Sequence, residues 1–474
     1  MIAQQCNGGQ AMKQIKKILV ANRGEVAVRI IRAIREMDLK SAVVYSDADR
    51  DSLAVQLADE AYYIGPSPAR DSYLKIKNII EAAHLAGVDA VHPGYGFLAE
   101  NPVFAEAVRS NGFIFIGPST EAIKTMGCKL LSRSIMERAG VPVVPGAMAA
   151  IKDREDMFAT ARHIGYPLLL KSSGGGGGKG MRKVDSEKEL ARAYELARNE
   201  SFSSFGTNTI YMEKYIKNPH HIEVQILADM LGTTVSLGER ECSVQRRYQK
   251  LLEESPSPFL DHETRSRLAK IAIMAAKTVH YVNAGTVEFI VDENRNCYFL
   301  EMNTRLQVEH AVTEMVTGID IVKEQIRIAR GEPLSFTQDH VLSQGTAIEC
   351  RIYAEDPDNN FMPSPGTVLG YHAPGGSGVR SDSGVFAGSD ISFHYDPLIS
   401  KLVTWGRTRD EGISRMKRAL LEYKIEGVKT NIAYFSKILE NGEFLSGNYT
   451  TSLVENMRLE SAAAAAIPAY AQGD

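Results

Sequence analysis

Glu301-Met302-Asn303-Thr304-Arg305-Leu306-Gln307-Val308-Glu309-His310 follows the apolar run Tyr298-Phe299-Leu300 and breaks the pattern of a core strand. Every second residue from Glu301 to Glu309 is charged or an amide, and side chains two apart share one face of an extended segment. Upstream, Gly285-Thr286-Val287-Glu288-Phe289-Ile290-Val291 reads as a second strand, joined through the turn-rich Asp292-Glu293-Asn294-Arg295-Asn296. A hairpin folded symmetrically about Asn294 and Arg295 sets Glu288 across from Glu301. Facing carboxylates repel each other. A divalent cation between them turns that repulsion into a site, and Asn303 adds another oxygen ligand. Oxygen-only ligation suits Mg²⁺ or Mn²⁺ shared with substrate phosphates. Taken alone, the pattern is equally that of a solvated hairpin face.

A second stretch decides between the two. In Pro167-Leu168-Leu169-Leu170-Lys171-Ser172-Ser173, a buried-looking strand runs directly into five consecutive glycines, Gly174, Gly175, Gly176, Gly177 and Gly178, followed by Lys179-Gly180-Met181-Arg182. Such a run cannot be strand or helix. It can be a mobile lid whose bare amides approach a polyphosphate, with Lys171, Lys179 and Arg182 supplying positive charge. The Gly-Lys-Ser/Thr ending of a P-loop is absent, and the spacing is not a dinucleotide fingerprint. A flexible linker is the alternative, but linkers are seldom entered by an apolar strand and edged by cations.

A phosphate-covering lid together with a paired-carboxylate metal site is the ATP-grasp arrangement, and the chain resembles the biotin carboxylase subunit of biotin-dependent carboxylases. The resemblance runs over nearly the whole chain, from Ile18-Leu19-Val20-Ala21-Asn22-Arg23-Gly24-Glu25 to Gly427-Val428-Lys429-Thr430-Asn431. Between these lie His92-Pro93-Gly94-Tyr95-Gly96-Phe97-Leu98, the glycine run, Cys242-Ser243-Val244-Gln245-Arg246-Arg247-Tyr248-Gln249-Lys250, the carboxylate hairpin, and Glu349-Cys350-Arg351-Ile352-Tyr353-Ala354-Glu355-Asp356-Pro357. It implies an α/β fold of the α+β ATP-grasp kind. A Rossmann-like N-terminal domain is expected over 12–126, an ATP-grasp domain over 127–340 with its lid at about 144–215, and a β-rich C-terminal domain over 345–455.

The pattern supports this layout locally. Lys16 to Val20 reads as a buried strand, Glu25 to Met37 as a helix, and Ala42 to Tyr45 as the next strand, a βαβ start that implies a parallel sheet with right-handed crossovers. Asn22-Arg23-Gly24-Glu25 is no Gly-x-Gly-x-x-Gly, which argues against NAD; Arg23 and Glu25 could equally be helix-start charges. Gly140-Val141-Pro142-Val143-Val144-Pro145-Gly146 marks a boundary before the lid. Within the lid, a helix is expected from Ser186 to Arg198 and a strand from Thr209 to Tyr215. Another helix is expected near Asp410 to Tyr423, and the Ala-rich tail from Ser461 reads as frayed.

The resemblance also assigns chemistry residue by residue. Lys129 and Lys171 are implied as phosphate lysines, with Gly174–Gly178 closing over them. Glu213, Lys214 and Ile216 correspond to the adenine hinge, and His221 and Gln245 to positions near ribose and phosphates. Glu288 belongs to the nucleotide site and, with Glu301 and Asn303, to the metal. Lys250, Arg305, Gln307 and the amide of Val308 are donors suited to bicarbonate. Glu309 is the candidate general base. Arg351 would stabilise the developing ureido enolate of biotin; its alternative role is as ion-pair partner of Glu349 or Glu355. The implied reaction is ATP- and bicarbonate-dependent carboxylation of carrier-borne biotin through carboxyphosphate. Cofactors are Mg or Mn, with ATP as co-substrate and biotin carried by a partner. Three positions depart from the usual family pattern: Tyr248 in place of His, Cys128 in place of an acid, and Ala311 in place of Pro. None removes a charge that the chemistry needs.

Implied partners are a biotin carboxyl carrier protein, carboxyltransferase subunits and a second copy in a homodimer. A net charge of −4 gives no reason to expect nucleic acid, and no apolar run reaches membrane-spanning length. Residues 1–11 lack a secretory apolar segment and are expected to be dispensable. Five scattered cysteines without metal spacing suggest reduced thiols in the cytoplasm. No Met-Lys-Met biotinyl site occurs, so carrier and transferase are expected on separate chains. Two competing readings are another ATP-grasp ligase, in which an amine attacks an acyl phosphate, and a non-catalytic nucleotide-sensing subunit. The first has no need of Gln307, Glu309 and Arg351 together. The second is at odds with an intact charged set.

Overall fold

The computed structural model describes residues 14–174 and 181–466. The N-terminal region is a parallel sheet of β1 (Lys17–Val20), β2 (Lys40–Ser46), β3 (Glu60–Gly65), β4 (Ala90–His92) and β5 (Ile114–Phe115) in the order β3-β2-β1-β4-β5. The helix Gly24–Glu36 after β1 buries Val26, Ala27, Ile30, Ile31 and Ile34, apolar residues at helical spacing that pack into one core with Ile18 and Val20. Strand order reverses between β1 and β4, and ligands of such sheets bind at the carboxyl ends of the strands at that switch. Here the two loops are tied together: Asn22 Nδ2 donates to Pro93 O and Tyr95 O, each at 2.7 Å.

A small antiparallel sheet follows, β6 (Leu168–Ser172), β7 (Arg182–Val184) and β8 (Ile210–Lys214) in the order β7-β6-β8. Helices Arg154–Ile164 and Glu187–Phe205 cover it, enclosing their own core of Met157, Ala161, Leu168, Leu170, Leu190 and Ile210. The second helix extends past the Arg198 expected from sequence to its left-handed cap at Gly206. Of the glycine run only Gly174 is among the described residues, in a turn after β6; Gly175, Gly176, Gly177 and Gly178 lie outside them, as do residues 1–11. The segment leading into this sheet bridges the body at Val143 (to Phe299) and β8 at Gly146 (to Glu213), where a Cβ would meet Met212 O at 2.5 Å, so only glycine permits this approach.

The body is one antiparallel sheet built from β9 (His220–Ala228), β10 (Thr234–Arg246), β11 (Gln249–Ser255), β12 (Asn283–Val291), β13 (Cys297–Asn303) and β14 (Thr346–Tyr353), continued by the strands Leu398–Gly406 and Val379–Ser383. Its order is β13-β12-β9-β10-β11-β14, then Leu398–Gly406, then Val379–Ser383. The long strands of the C-terminal region therefore extend the same sheet that carries the carboxylate hairpin. The helix Arg409–Glu422 packs against them, with Ile348, Cys350, Ile352, Leu402 and Met416 in a shared core. No helix among the described residues is long and apolar enough to cross a membrane. Cys128 is exposed and Cys242, Cys297 and Cys350 are buried, all four as free thiols.

Candidate functional site

Glu288 sits in the middle strand of three, opposite Glu223 of β9 on one side and Glu301 of β13 on the other. The route to the second pairing differs from the symmetric hairpin read from sequence. Near the turn, Val291 pairs with Cys297 and Phe289 with Phe299; Leu300 is then an extra residue that bulges and restores Glu288 opposite Glu301. The strand ends at Asn303, so Arg305, Gln307 and Glu309 are not successive positions of one extended face. They lie in an irregular segment that finishes with Glu309 as N-cap of the helix His310–Thr317. They nevertheless converge on the same centre. Asn303 Nδ2 and Gln307 Nε2 donate to Glu288 Oε1 at 2.8 and 2.9 Å. His221 Nε2 lies 2.9 Å from Glu288 Oε2, and Gln245 Nε2 donates to His221 Nδ1 at 3.1 Å, which places the ring proton on Nε2.

Lys250 is the hub. Its Nζ donates to Glu223 Oε2 at 2.5 Å, Glu309 Oε1 at 2.7 Å and Glu288 Oε1 at 3.0 Å. Burial alone would discharge this amine, but Glu223, Glu288 and Glu309 outweigh it and hold Lys250 well above the lysine range. In return, burial pushes the Glu309 carboxyl up while Lys250, Arg351 and Arg240 hold it well below the usual range, so it is ionised at neutral pH. Arg351 donates from NH2 to Glu309 Oε2 at 2.9 Å and from Nε to Glu253 Oε1 at 2.6 Å. Its partners are thus Glu309 and Glu253, not the Glu349 or Glu355 weighed as ion-pair partners from sequence. Cys242, 3.9 Å from Glu309 Oε1, is kept a neutral thiol by burial.

Arg305 is anchored by Glu100, whose Oε2 accepts from Nε at 2.7 Å, and reaches Gln307 Oε1 at 2.5 Å and Asn303 Oδ1 at 2.9 Å. Asn303 therefore turns its amide nitrogen toward Glu288 and its oxygen toward Arg305. Arg305, Val308 and Arg351 line a cleft of about 390 Å³ whose far wall is Asn22, Tyr95 and Phe97, the loops at the strand-order switch. Fully buried Lys401 donates to Val308 O at 2.7 Å and fixes that peptide.

The two lysines expected at phosphates are each held by a carboxylate. Lys129 opens the helix Lys129–Arg138 and ion-pairs with Glu301; Lys171 Nζ lies 2.5 Å from Glu213 Oε2, whose Oε1 accepts from Arg133 at 2.8 Å. Lys214 spends its ammonium on Tyr166 O at 3.1 Å, and half-buried Ile216 follows just past the end of β8. Tyr248 and Arg247 form the two-residue turn between β10 and β11, both with left-handed backbone (φ 67° and 49°), and Tyr248 is 57% exposed. Bulky residues rarely occupy that conformation, and such strain gathers at functional sites.

The carboxylates fit a divalent cation by donor chemistry: Glu288 and Glu301 oppose each other, each neutralised by a lysine where a metal would be. Buried oxygen, nitrogen and sulfur ligand atoms also cluster in the sets His221, Glu223, Glu288 and Glu223, Cys242, Glu309. Glu223 was not singled out in the sequence, although His221, Glu223 and Gln225 alternate on one face of β9, the signal that could have found it. Arg240, fully buried and bound to Glu223, Gln225, Thr286 and Thr313, was also missed. So was Glu253. The partners of Arg240 and Glu253 lie on other elements far along the chain, and no local spacing reveals either residue.

Three family models match the chain: biotin carboxylase, N-terminal domain, over 14–123; carbamoyl-phosphate synthase L chain, ATP binding domain, over 129–337; and biotin carboxylase C-terminal domain over 349–456. The chain is 53% identical over 442 residues to biotin carboxylase 1 of Bacillus subtilis, covering 93% of this chain and 98% of that protein. It is 51% identical over 444 residues to the biotin carboxylase of Allochromatium vinosum, covering 94% of this chain and 98% of that protein. Among solved structures, the biotin carboxylase domain dimer of Hydrogenobacter thermophilus 2-oxoglutarate carboxylase, in complex with MgADP, ADP and bicarbonate, superposes with a TM-score of 0.91 at 48% identity, covering 94% of this chain and 98% of that one.

Proposed function

Because the chain belongs to the biotin carboxylase family, an ATP-grasp ligase family, we propose that the convergence of Lys250, Glu309 and Arg351 beside the cleft is where bicarbonate is activated and passed to biotin. The observation that carries this is the carboxylate of Glu309, bridged by Lys250 on one oxygen and Arg351 on the other. A bicarbonate bound by Lys250, Arg305, Gln307 and the Val308 amide gives its proton to Glu309 and attacks the γ-phosphorus of ATP, forming carboxyphosphate and ADP. Carboxyphosphate releases CO₂ beside biotin, and the leaving phosphate takes the ureido N–H proton. Arg351 stabilises the enolate oxygen on which charge develops, and the deprotonated ureido nitrogen attacks CO₂ to form carboxybiotin.

Lys129, Lys171 and the run Gly174–Gly178 are assigned to the phosphates, Glu213, Lys214 and Ile216 to adenine, and His221 and Gln245 to ribose and phosphates. Glu288, Glu301 and Asn303 would hold Mg²⁺ or Mn²⁺, Asn303 after turning its oxygen inward, and the bound metal would supply positive charge against the phosphates. Freed from those carboxylates by metal and substrate, Lys129 and Lys250 become available to anions. The biotin is carried by a biotin carboxyl carrier protein, the product passes to a carboxyltransferase, and the chain works as a cytoplasmic homodimer. The dimer in the Hydrogenobacter relative supports the homodimer. The test is ATP cleavage by the purified chain with and without bicarbonate. The competing amine-ligase reading expects turnover that does not depend on bicarbonate.

A further inference from the structure

Glu253 on β11 and Glu349 on β14 are direct cross-strand partners, and both are fully buried. Alternation along β14 puts Glu349 and Arg351 on one face, while Ile348, Cys350 and Ile352 point into the apolar core. Glu253 Oε1 accepts from Arg351 Nε at 2.6 Å. Glu253 Oε2 and both oxygens of Glu349 have no hydrogen-bond partner among the described residues. Two ionised carboxylates here would set like charges face to face and leave three buried oxygens without a donor, each a substantial desolvation cost. A single proton removes the like-charge repulsion and gives Glu253 Oε2 a donor, because a protonated carboxyl carries an O–H. Arg351 already engages Glu253, so the proton belongs on Glu349.

We propose that Glu349 is a neutral carboxylic acid donating its O–H to Glu253 Oε2, and that this pair is the positioning element that holds Arg351 between Glu253 and Glu309 for carboxyl transfer. The proposal rests on the role assigned to Arg351 above. The charged groups facing Glu349 are Lys401, Glu253, Arg351 and Glu309; those facing Glu253 are Arg351, Glu309, Lys250 and Glu349. In accord with the geometry, burial pushes Glu349 well above the carboxylate range despite Lys401, and Glu253 to about 7 despite Arg351. Loss of the proton at alkaline pH would add a second anion competing with Glu309 for the guanidinium. Glu349 touches no reacting atom in this scheme; it acts through Arg351.

Infrared spectroscopy of the full chain at neutral pH reads the proton directly. In the wild-type minus Glu349→Gln difference spectrum, the C=O stretch of one buried protonated acid is expected as a band lost in the variant. A missing band overturns the proposal whether or not the enzyme is active. The positioning role is read from two steps measured side by side. Glu349→Ala should lower carboxyl transfer to biotin about tenfold while bicarbonate-dependent ATP cleavage stays within about twofold, and Glu349→Gln, which keeps a neutral donor, should restore most of the transfer. An equal fall in both steps, or no fall in transfer, overturns that role. If Glu349→Ala does not fold, Glu349→Gln still decides: its transfer should lack the alkaline decline expected of the wild type, and the same pH profile in both contradicts the proposal. A wild-type chain that cleaves ATP without bicarbonate would instead refute the functional reading, leaving the infrared result to stand alone.

Discussion

Lys250 Nζ lies 2.7 Å from Glu309 Oε1, and that contact ties the β10–β11 hairpin to the irregular segment that follows the carboxylate strand. It sets a cation against the proposed base before any substrate arrives. A base held this far below neutral pH is reliably ionised, yet weak; it gains basicity as bicarbonate draws Lys250 away from it.

Glu309→Gln keeps the shape and removes the proton acceptor. Bicarbonate-dependent ATP cleavage should fall by about 10²–10⁴, in the range of a lost general base. Arg351→Ala should retain much of that cleavage and lose transfer to biotin by about 10²–10³, because its charge acts on the later enolate. Rapid-quench measurement of ADP and of carboxybiotin separates the two. Failure of both variants at the same step contradicts the division of labour.

Glu288→Gln and Glu301→Gln each remove one anion from a facing pair that is costly without a cation. Turnover at limiting Mg²⁺ should drop by about a hundredfold in either variant, with part recovered at high Mn²⁺. Because Lys250 and Lys129 lose a partner, the two variants should differ in thermal stability, with Glu288→Gln the lower: Glu288 is buried and Glu301 only partly so. Near-normal turnover in both removes the metal assignment.

Glu355 is buried, and desolvation raises its carboxyl to about 7 despite the opposing pull of Arg246. A carboxyl whose folded pKa exceeds its unfolded value favours the folded state while protonated. Its stabilising contribution is complete below the ordinary glutamate range and is lost as pH rises through about 7. Glu355→Gln cannot ionise, so its stability relative to wild type should rise between pH 5 and 8 by on the order of 1 kcal/mol. Denaturant titrations across that range check the sign; a relative fall contradicts it.

Much of this was legible from local pattern. The facing of Glu288 and Glu301 followed from hairpin arithmetic, although the true register needs the Leu300 bulge, which no propensity announces. The parallel N-terminal sheet followed from a βαβ pattern, and the resemblance pointed to Lys250, Glu309 and Arg351, which the fold brings into contact. The reach of alternation was overread, since the strand stops at Asn303 and a helix cap, not a pleat, delivers Glu309. What stayed hidden was non-local. Arg240 and Glu253 look like ordinary polar residues of amphipathic strands, and only pairing of β9, β10, β11 and β14 brings them to the centre. The continuation of the main sheet into Leu398–Gly406 has the same cause.

The central claim is that this chain alone performs the first half of a carboxylation. The most direct measurement supplies purified protein with Mg-ATP, labelled bicarbonate and free biotin, and follows acid-labile label on biotin together with ADP. The account predicts slow, bicarbonate-dependent carboxybiotin formation, raised greatly by a biotinylated carrier domain because the acceptor is then pre-positioned, and unchanged by acyl-CoA or pyruvate. ATP cleavage that proceeds equally without bicarbonate, or label appearing on an acyl-CoA with no added partner, would contradict it.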